Sequence, residues 1–393
     1  MNQNPLVVLI TLANVVASVE DSGDFRFIES PPSFGQFQVI GISGDGTTVL
    51  GNGTTQPVVW RSASNAAVAI GSFNSASIRT FGSDISGDGT TIVGWSEQPA
   101  SLYVGWRWRE STGIRQIPNT TGMQTIPRAV NETGSIIYGV GSFPWRWSST
   151  EGIVSLPAVL GSPIESIGDC DSLGLAAVGN AGQWGYLIQG STISALTQNA
   201  ACRAEGFCIS ADGTSVYGTI QCSGSSRPQC FLDRAGQDRR VLTSPEFVEF
   251  VVVKCSADGG IAIGRGLTSL GTEGVIQLPS GRIAILKDHL RCRGLEIPSG
   301  CRQVVANAIS NNGRFLAGSL ITAQGEYRAW WVDLGNVTEC LADYNADCSV
   351  DFFDYLDFVE VFAGMDLRAD FNRDGTVDLF DYLDFLIEFT RPC

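Results

Sequence analysis

Oxygen-bearing side chains recur at one fixed spacing twice in the last 54 residues of the chain. They stand at positions 1, 3, 5, 7, 9 and 12 of two segments whose first residues are 343 and 370. The two sets are Asp343, Asn345, Asp347, Ser349, Asp351 and Asp354, and Asp370, Asn372, Asp374, Thr376, Asp378 and Asp381. This is the spacing with which a 12-residue loop wraps around a calcium ion. The sequence therefore predicts two Ca²⁺ sites.

The charge of this segment favours the same ligand. Residues 340–393 hold 13 acidic and 3 basic residues, a net charge of −10 out of −15 for the whole chain. Carboxylates attract hard cations and repel phosphate backbones, so metal binding is favoured and nucleic-acid binding is not. A solvated acidic face is the alternative. Cys348 occupies position 6 of the first loop, where glycine is usual, so this loop should bind more weakly unless a disulfide to Cys340 or Cys393 holds it.

Each loop leads into a predicted amphipathic helix, and the six residues 353–358 are repeated identically at 380–385. The apolar stripes are expected to pack together; they are Tyr355, Leu356, Val359 and Phe362, and Tyr382, Leu383, Leu386 and Phe389. This pair of loop-helix units resembles a type I dockerin. The resemblance implies that residues 338–393 form a small α-helical, calcium-dependent module that binds a cohesin-like or cell-surface protein.

In dockerins, loop positions 10 and 11 help to choose the partner. The residues at these positions here are all apolar: Phe352, Phe353, Leu379 and Phe380. The resemblance therefore implies a hydrophobic docking surface. Burial of these side chains in the core of the module is the alternative.

The remainder of the chain is organised by a four-residue turn that follows an apolar strand and precedes a second one. It occurs seven times, with starts 39 to 54 residues apart, at Ser43–Gly46, Ser86–Gly89, Asn131–Gly134, Asp171–Gly174, Ser210–Gly213, Ser256–Gly259 and Ser310–Gly313. This is the period of a four-stranded propeller blade. The sequence predicts a mainly β fold, a seven-bladed β-propeller over residues 21–337. The first turn residue should bond the backbone two residues on, and glycine should supply a positive φ.

The seventh unit offers only three clear strands, at 304–309, 314–318 and 327–333. The segment from Phe25 to Pro32 has the pattern of the fourth strand in the other units, so it is predicted to complete the last blade and close the ring. The repeats resemble the bacterial extracellular repeats of the HAF family, most clearly in units one to three. That resemblance implies an extracellular propeller.

Cysteine usage and the amino terminus indicate export. The chain has 11 cysteines and no CxxC spacing, which predicts disulfides, with Cys222/Cys230 and Cys292/Cys301 as hairpin-scale pairs. Buried free thiols are the alternative. An apolar run from Leu6 to Val19 ends in small residues, so residues 1–20 are predicted to be a signal peptide of a secreted or cell-surface protein. No later segment reaches 18 uninterrupted apolar residues, so no membrane span is expected.

Catalytic motifs are sparse. The only histidine, His289, lies beside Asp288 in the longest insertion between units, and no G-x-S-x-G motif accompanies it. Tryptophans recur at comparable third-strand positions, at Trp60, Trp108, Trp147 and Trp331. They are expected to pack between blades, with a glycan-binding surface as the alternative. The predicted function is a non-catalytic binding or scaffold propeller anchored by a dockerin-like module; the alternative is a polysaccharide-acting hydrolase or lyase.

Overall fold

The computed structural model describes residues 24–31, 35–118, 122–237, 239–244, 246–335, 340–344, 348–366, 369–372 and 376–391. The predicted signal peptide and the predicted calcium ligands Asn345, Asp347 and Asp374 lie outside the described residues. No helix in the described ranges is long and apolar enough to cross a membrane.

Seven four-stranded antiparallel sheets form a β-propeller, as the repeat period predicts. Strand β1 (Asp24–Ile28) opens the described chain and belongs to the last blade. Blades one to three contain β2 (Gln38–Ile42), β3 (Thr48–Asn52), β4 (Pro57–Arg61) and β5 (Ala66–Ala69); β6 (Arg79–Ile85), β7 (Ile92–Gln98), β8 (Leu102–Arg109) and β9 (Gly113–Gln116); and β10 (Thr125–Val130), β11 (Ile136–Gly141), β12 (Trp145–Ser148) and β13 (Gly152–Ser155). A 3₁₀ turn, Pro99–Ser101, links β7 to β8.

The other four blades repeat this order. They contain β14 (Ser166–Cys170), β15 (Ala176–Ala181), β16 (Trp184–Gln189) and β17 (Thr192–Ala195); β18 (Cys202–Ile209), β19 (Ser215–Cys222), β20 (Gln229–Arg234) and β21 (Arg240–Val241); β22 (Glu249–Cys255), β23 (Ala262–Thr268), β24 (Gly271–Gln277) and β25 (Ile283–Ile285); and β26 (Gln303–Ile309), β27 (Phe315–Ile321) and β28 (Tyr327–Asp333). The first strands of neighbouring blades contact one another around the whole ring, so they line its axis.

The ring is closed by the amino-terminal strand, which confirms the sequence prediction. Strand β1 pairs antiparallel with β28, in a register that sets Asp24 opposite Asp333 and Ile28 opposite Ala329. The last blade therefore takes one strand from one end of the described propeller and three from the other. Because β1 pairs with β28, both ends of the propeller are joined in one sheet and the outer edge of β28 is not left unpaired.

The recurrent turn is a structural device. Its glycines all have a positive φ, between 63° and 75°, as predicted. The side chain of the first residue, however, accepts a hydrogen bond from the backbone N–H five residues on, not two; in the first turn Ser43 Oγ accepts from Thr48 N at 3.0 Å. The bond two residues on belongs to the third residue, since Asp45 Oδ1 accepts from Thr47 N at 3.0 Å.

The seven turns are also joined to one another by backbone hydrogen bonds of 2.7 to 3.2 Å. In each pair the N–H group of one turn donates to a carbonyl of the next: Gly44 to Gly87, Asp88 to Glu132, Glu132 to Ser172, Ser172 to Ala211, Ala211 to Ala257, Ala257 to Asn311, and Asn311 to Gly44. Because the last bond returns to the first turn, these contacts form a closed ring around the axis. The turn therefore specifies contacts between blades as well as the hairpin within a blade.

A glycine in the second strand faces a large side chain in the third. Gly94 pairs with Trp106, and a Cβ at Gly94 would lie 2.4 Å from Trp106 Cζ2. The same cross-strand pair recurs as Gly139–Trp145, Gly179–Tyr186, Gly218–Phe231 and Gly318–Trp330. This register corrects the predicted equivalence of four tryptophans: Val332, not Trp331, is the counterpart of Trp60, Trp108 and Trp147.

Two helices follow the propeller, α2 (Phe352–Ala363) and α3 (Leu379–Phe389), while a third, α1 (Leu286–Cys292), occupies the insertion after β25. Helices α2 and α3 pack through Phe358 and Phe385, which are fully buried and stack with ring centroids 4.0 Å apart. The Tyr355 and Tyr382 hydroxyls meet at 3.1 Å. The predicted stripes are thus partly wrong, because their leucines at 356 and 383 are exposed and the two phenylalanines form the contact.

Disulfides are present, but not between the predicted pairs. Cys202 bonds Cys222, its cross-strand neighbour, and Cys292 bonds Cys348. Cys340 is also disulfide-bonded. The free thiols among the described residues are Cys170, Cys208, Cys230, Cys255 and Cys301, so the Cys222/Cys230 and Cys292/Cys301 pairings are wrong. Those pairings assumed partners close in sequence, whereas the actual partners are brought together by strand pairing and by the packing of α1.

Candidate functional site

The predicted calcium loops end at the N-termini of α2 and α3. Position 12 of each loop is a fully buried carboxylate, Asp354 or Asp381. Each also takes part in a capping box, in which Asp354 Oδ2 accepts from Asp351 N and Asp381 Oδ2 accepts from Asp378 N, both at 2.8 Å. The helix start therefore fixes the last predicted ligand of each loop at a position where a carboxylate is stabilised.

The second loop has a further internal contact. The backbone N–H of Asn372, at position 3, donates to Asp381 Oδ1 at 3.0 Å and so joins the start of the loop to its end. Within the described ranges no three His, Cys, Asp or Glu side chains form a metal cluster, and each loop has ligand positions outside those ranges.

The first loop is attached to the propeller by a disulfide and a hydrogen bond. Cys348 has a φ of +77°, the conformation for which glycine is usual at position 6. A disulfide does hold this residue, but its partner is Cys292 at the end of α1 and not Cys340 or Cys393, the two partners considered from the sequence. In addition, Arg282 Nη1 donates to the backbone oxygen of Asp343 at 2.9 Å, and Cys348 N donates to Asp343 Oδ2 at 3.2 Å. The propeller thus contacts the first loop at positions 1 and 6.

The four apolar residues at loop positions 10 and 11 are all on the surface. Phe352, Phe353, Leu379 and Phe380 are 63 to 65% exposed. They lie in the first turn of α2 and of α3 and are followed on each helix by an exposed leucine, Leu356 or Leu383. Of the two alternatives left by the sequence, burial in the core of the module is therefore wrong. The module presents two matching apolar patches to solvent.

Sequence reasoning missed a charged cluster on the propeller axis. Each first strand contains a β-bulge, and the residue after the bulge lies two positions before the turn. In five blades this residue lines an axial cavity of about 110 Å³: Gly41, Asp84, Asp169, Lys254 and Ala308. Lys254 Nζ lies 3.2 Å from Asp169 Oδ1. The signal in the sequence was a charged residue two places before a turn that is otherwise preceded by small or apolar ones.

The electrostatics of this cavity follow from burial and from the three charges. Burial raises the pKa of Asp84 to about 6, although Lys254 and the backbone N–H of Val130 oppose the rise. Burial alone would lower the pKa of Lys254, but Asp169 and Asp84 outweigh it, so this pKa is raised. Burial raises the pKa of the Cys170 thiol, which also lines the cavity, well above the ordinary value and so keeps it protonated and poorly nucleophilic.

The size of the axial cavity limits what it can hold. Organic ligands occupy sites of about 300 to 1,000 Å³, so a cavity of about 110 Å³ suits water or a small ion better than a sugar ring. Two of its lining residues are joined by a hydrogen bond from Asn311 Nδ2 to Glu132 Oε2 at 3.0 Å. The charged cluster is therefore a structural element of the ring that is closed to large ligands.

His289 lies on α1 in a setting unsuited to a general base. Burial, together with Arg293 and Arg282, lowers its pKa to about 3. Its Nε2 accepts from Arg293 Nε at 3.4 Å, while the neighbouring Asp288 pairs with Arg291 at 3.4 Å. The imidazole thus faces a guanidinium instead of a carboxylate, which is the reverse of the pairing that supports a catalytic histidine.

No protein-family model matches the chain, and no curated protein matches it. Solved structures with a similar fold include an oligogalacturonate lyase from Vibrio parahaemolyticus, with 11% identity, a TM-score of 0.52, and coverage of 79% of this chain and 97% of that one. A second oligogalacturonate lyase, in complex with manganese, has 12% identity, a TM-score of 0.52, and coverage of 81% and 95%. The β-propeller domain of the Trilobed protease from Pyrococcus furiosus has 12% identity, a TM-score of 0.52, and coverage of 78% and 99%. At these identities the likeness shows the β-propeller fold.

Proposed function

We propose that the protein is a secreted, non-catalytic binding or scaffold propeller that a calcium-dependent, dockerin-like module anchors to a cohesin-like or cell-surface protein. The observation that carries this proposal is the pair of matching apolar patches, each at positions 10 and 11 of a predicted calcium loop. Exposed aromatic side chains of this size in a small module are typical of a protein–protein contact. Calcium would connect the two features, because it would fix the loops from which the patches emerge.

The two calcium ions would be held by the twelve predicted ligands. In each loop the helix N-terminus orients the carboxylate at position 12, and position 7 would contribute its backbone carbonyl. Ordering of a loop by metal is coupled to folding when the ligands do not converge without it. The module would therefore be fully ordered, and able to bind its partner, only with calcium bound.

Partner capture tests the proposed docking surface. The full-length protein, immobilised in calcium, is expected to retain at least one member of a panel of purified cohesin modules and solubilised cell-surface proteins, and to release it in chelator. Replacing both Phe353 and Phe380 by Ser should weaken capture at least 100-fold, since central aromatic contacts contribute about 2 kcal/mol or more each.

The matched measurement is calcium binding by the same double variant, which should be unchanged because both side chains point to solvent. Capture that survives the double substitution would remove these residues from the docking surface. Capture that persists in chelator would separate docking from calcium.

The attachment of the first loop to the propeller leads to a separate expectation. Replacing Cys292 and Cys348 together by Ser should weaken one of the two calcium sites about tenfold, because calcium binding must then order loop residues that the disulfide no longer holds, at about 1–2 kcal/mol for each residue fixed. Calorimetric titration of the full chain would resolve the two sites. The matched control replaces Cys202 and Cys222, whose disulfide joins β18 to β19 within blade five. Equal affinities in both variants would contradict a role for the Cys292–Cys348 bond.

The second function is a polysaccharide-acting propeller hydrolase or lyase. Glycosidases use two carboxylates with separated pKa values, and Asp84, whose pKa is raised to about 6, lies in the same cavity as Asp169. The small volume of that cavity weighs against this function. Release of reducing ends or unsaturated products from plant or algal polysaccharides, lost in Asp84→Asn, would favour it over the scaffold.

A further inference from the structure

A cleft of about 520 Å³ lies between blades one and two, on the face that carries the turns. Its walls combine one aromatic side chain, Trp108, with hydroxyl, carboxylate and guanidinium groups. Its lining also includes Thr48, Arg61, Asp88, Thr90, Arg109 and Glu110. The volume falls within the range of about 300 to 1,000 Å³ that is usual for organic ligands.

The cleft exists because one tryptophan lacks the cover that its counterparts have. Trp60 and Trp147 occupy the same register position as Trp108, and they are only 0% and 3% exposed. Trp60 is covered by Trp331 of blade seven, with ring centroids 5.5 Å apart. Trp147 is covered by the guanidinium of Arg107 of blade two, 4.9 Å from the ring centre.

Blade one has smaller residues at the covering positions. Strand register sets Val59 where blade seven has Trp331 and blade two has Arg107. It likewise sets Thr48 where blade seven has Phe315, whose ring stacks on Trp331 at 5.5 Å. The indole of Trp108 is consequently half-buried and forms part of the cleft wall. The cleft against this ring thus lies where other blades place a larger covering side chain.

We propose that this cleft binds a segment of a neutral polysaccharide, with a sugar ring seated against Trp108. A pyranose ring has an apolar C–H face that suits an indole and an edge of hydroxyl groups that requires polar partners. The cleft supplies both, because the Trp108 indole forms part of its wall and the Thr90 hydroxyl and the Asp88 carboxylate line it as well. The proposal rests on the proposed function only in giving the propeller a binding role.

The charges of the cleft favour a neutral sugar over an acidic one. Three carboxylates and two guanidinium groups line it, an excess of one negative charge. Both arginines are already engaged: Arg61 pairs with Glu110 at 2.9 Å, bridging the two blades, and Arg109 Nε donates to Thr91 Oγ1 at 2.9 Å. A uronate carboxylate would meet net repulsion here, whereas hydroxyl groups could accept from or donate to these side chains.

Affinity electrophoresis of the full chain in chelator tests this proposal independently of the docking module. The probes are soluble neutral glucans, xylans and mannans, with polygalacturonate as the acidic comparison. At least one neutral polysaccharide is expected to retard the protein, and Trp108→Ala should weaken the retardation at least tenfold. Thr48→Phe, which places in blade one the residue found in blade seven, should weaken it equally while Trp108 is retained.

Thermal unfolding of both variants shows whether they fold. If Thr48→Phe does not fold, Trp108→Ala decides, because its side chain is already half-exposed. Retardation by polygalacturonate alone, by no neutral polysaccharide, or equally in wild type and Trp108→Ala would overturn the proposal. Loss of calcium-dependent capture with intact retardation would instead count against the docking module alone.

Discussion

Replacing Lys254 by Met is expected to lower the free energy of unfolding of the propeller by about 3–5 kcal/mol at pH 7. Lys254 is the only cation among the residues that line the axial cavity, and it lies 3.2 Å from Asp169. Removing it leaves Asp169 and Asp84 facing each other in a site where neither carboxylate is well solvated. Chemical denaturation of the full chain, followed by tryptophan fluorescence, measures the change.

The pH dependence gives this prediction a second readout. The folded-state pKa of Asp84 is raised to about 6 from 3.8, so its contribution to stability is complete below about pH 4 and is lost as the pH rises through 6. The destabilisation in Lys254→Met should therefore be smaller at pH 5 than at pH 7, and adding Asp169→Asn should restore part of the stability. Arg203→Met is the control, since the Arg203 side chain is 63% exposed and its ion pair with Glu205 should contribute at most about 1 kcal/mol. Equal losses in Lys254→Met and Arg203→Met would contradict a structural role for the charged cluster.

Loss of one buried aromatic ring is expected to destabilise the carboxy-terminal module about as strongly as Lys254→Met destabilises the propeller. Phe358→Ala removes a fully buried side chain that stacks on Phe385 at 4.0 Å, a change that costs about 3–5 kcal/mol. A single core in a module this small seldom provides more than about 3–5 kcal/mol. The variant is therefore expected to lose the helical circular-dichroism signal of α2 and α3 even in calcium.

The matched control for this substitution is Phe353→Ala, five residues earlier on the same helix. Phe353 is 63% exposed, so its removal should leave the helical signal and calcium binding intact while weakening partner capture. Together the two variants separate the core of the module from its surface. Wild-type helix content in Phe358→Ala, or unfolding in Phe353→Ala, would reverse that assignment.

The propeller could be predicted from the sequence because its information is local and repeated. A turn with serine, aspartate or asparagine at its first position and glycine at its fourth specifies one hairpin, and seven copies at blade spacing specify the ring. Closure by the segment that begins at Phe25 followed from counting strands. The second-strand glycines have a similarly simple cause, since a Cβ at Gly94 or Gly318 would collide with Trp106 or Trp330.

What could not be predicted depends on register and on contacts between distant segments. The bulge in each first strand adds one residue, so a strictly alternating pattern assigns the side chains after the bulge to the wrong face of the strand. For this reason the sequence did not predict that Asp84 and Lys254 lie at the axis. Trp331 was assigned to the position of Trp60, Trp108 and Trp147 for lack of the cross-strand register, which places Val332 there. The bond between Cys292 and Cys348 joins segments that share no local pattern.

The candidate calcium site likewise has features that the sequence predicts and features that depend on the fold. The ligand spacing is local, and the exposure of Phe353 and Phe380 depends on how α2 packs against α3. The attachment of the first loop to Arg282 and Cys292 arises only in the folded protein. It suggests that the two loops, although similar in sequence, differ in how their geometry is maintained.

Calcium titration of the chelator-treated full-length protein tests the central claim most directly. Isothermal calorimetry should show two calcium ions bound per chain, and circular dichroism of the same samples should show a gain of helix as the module becomes ordered. Absence of both binding heat and any helical change at millimolar calcium would contradict the assignment of residues 338–393 as a calcium-dependent docking module.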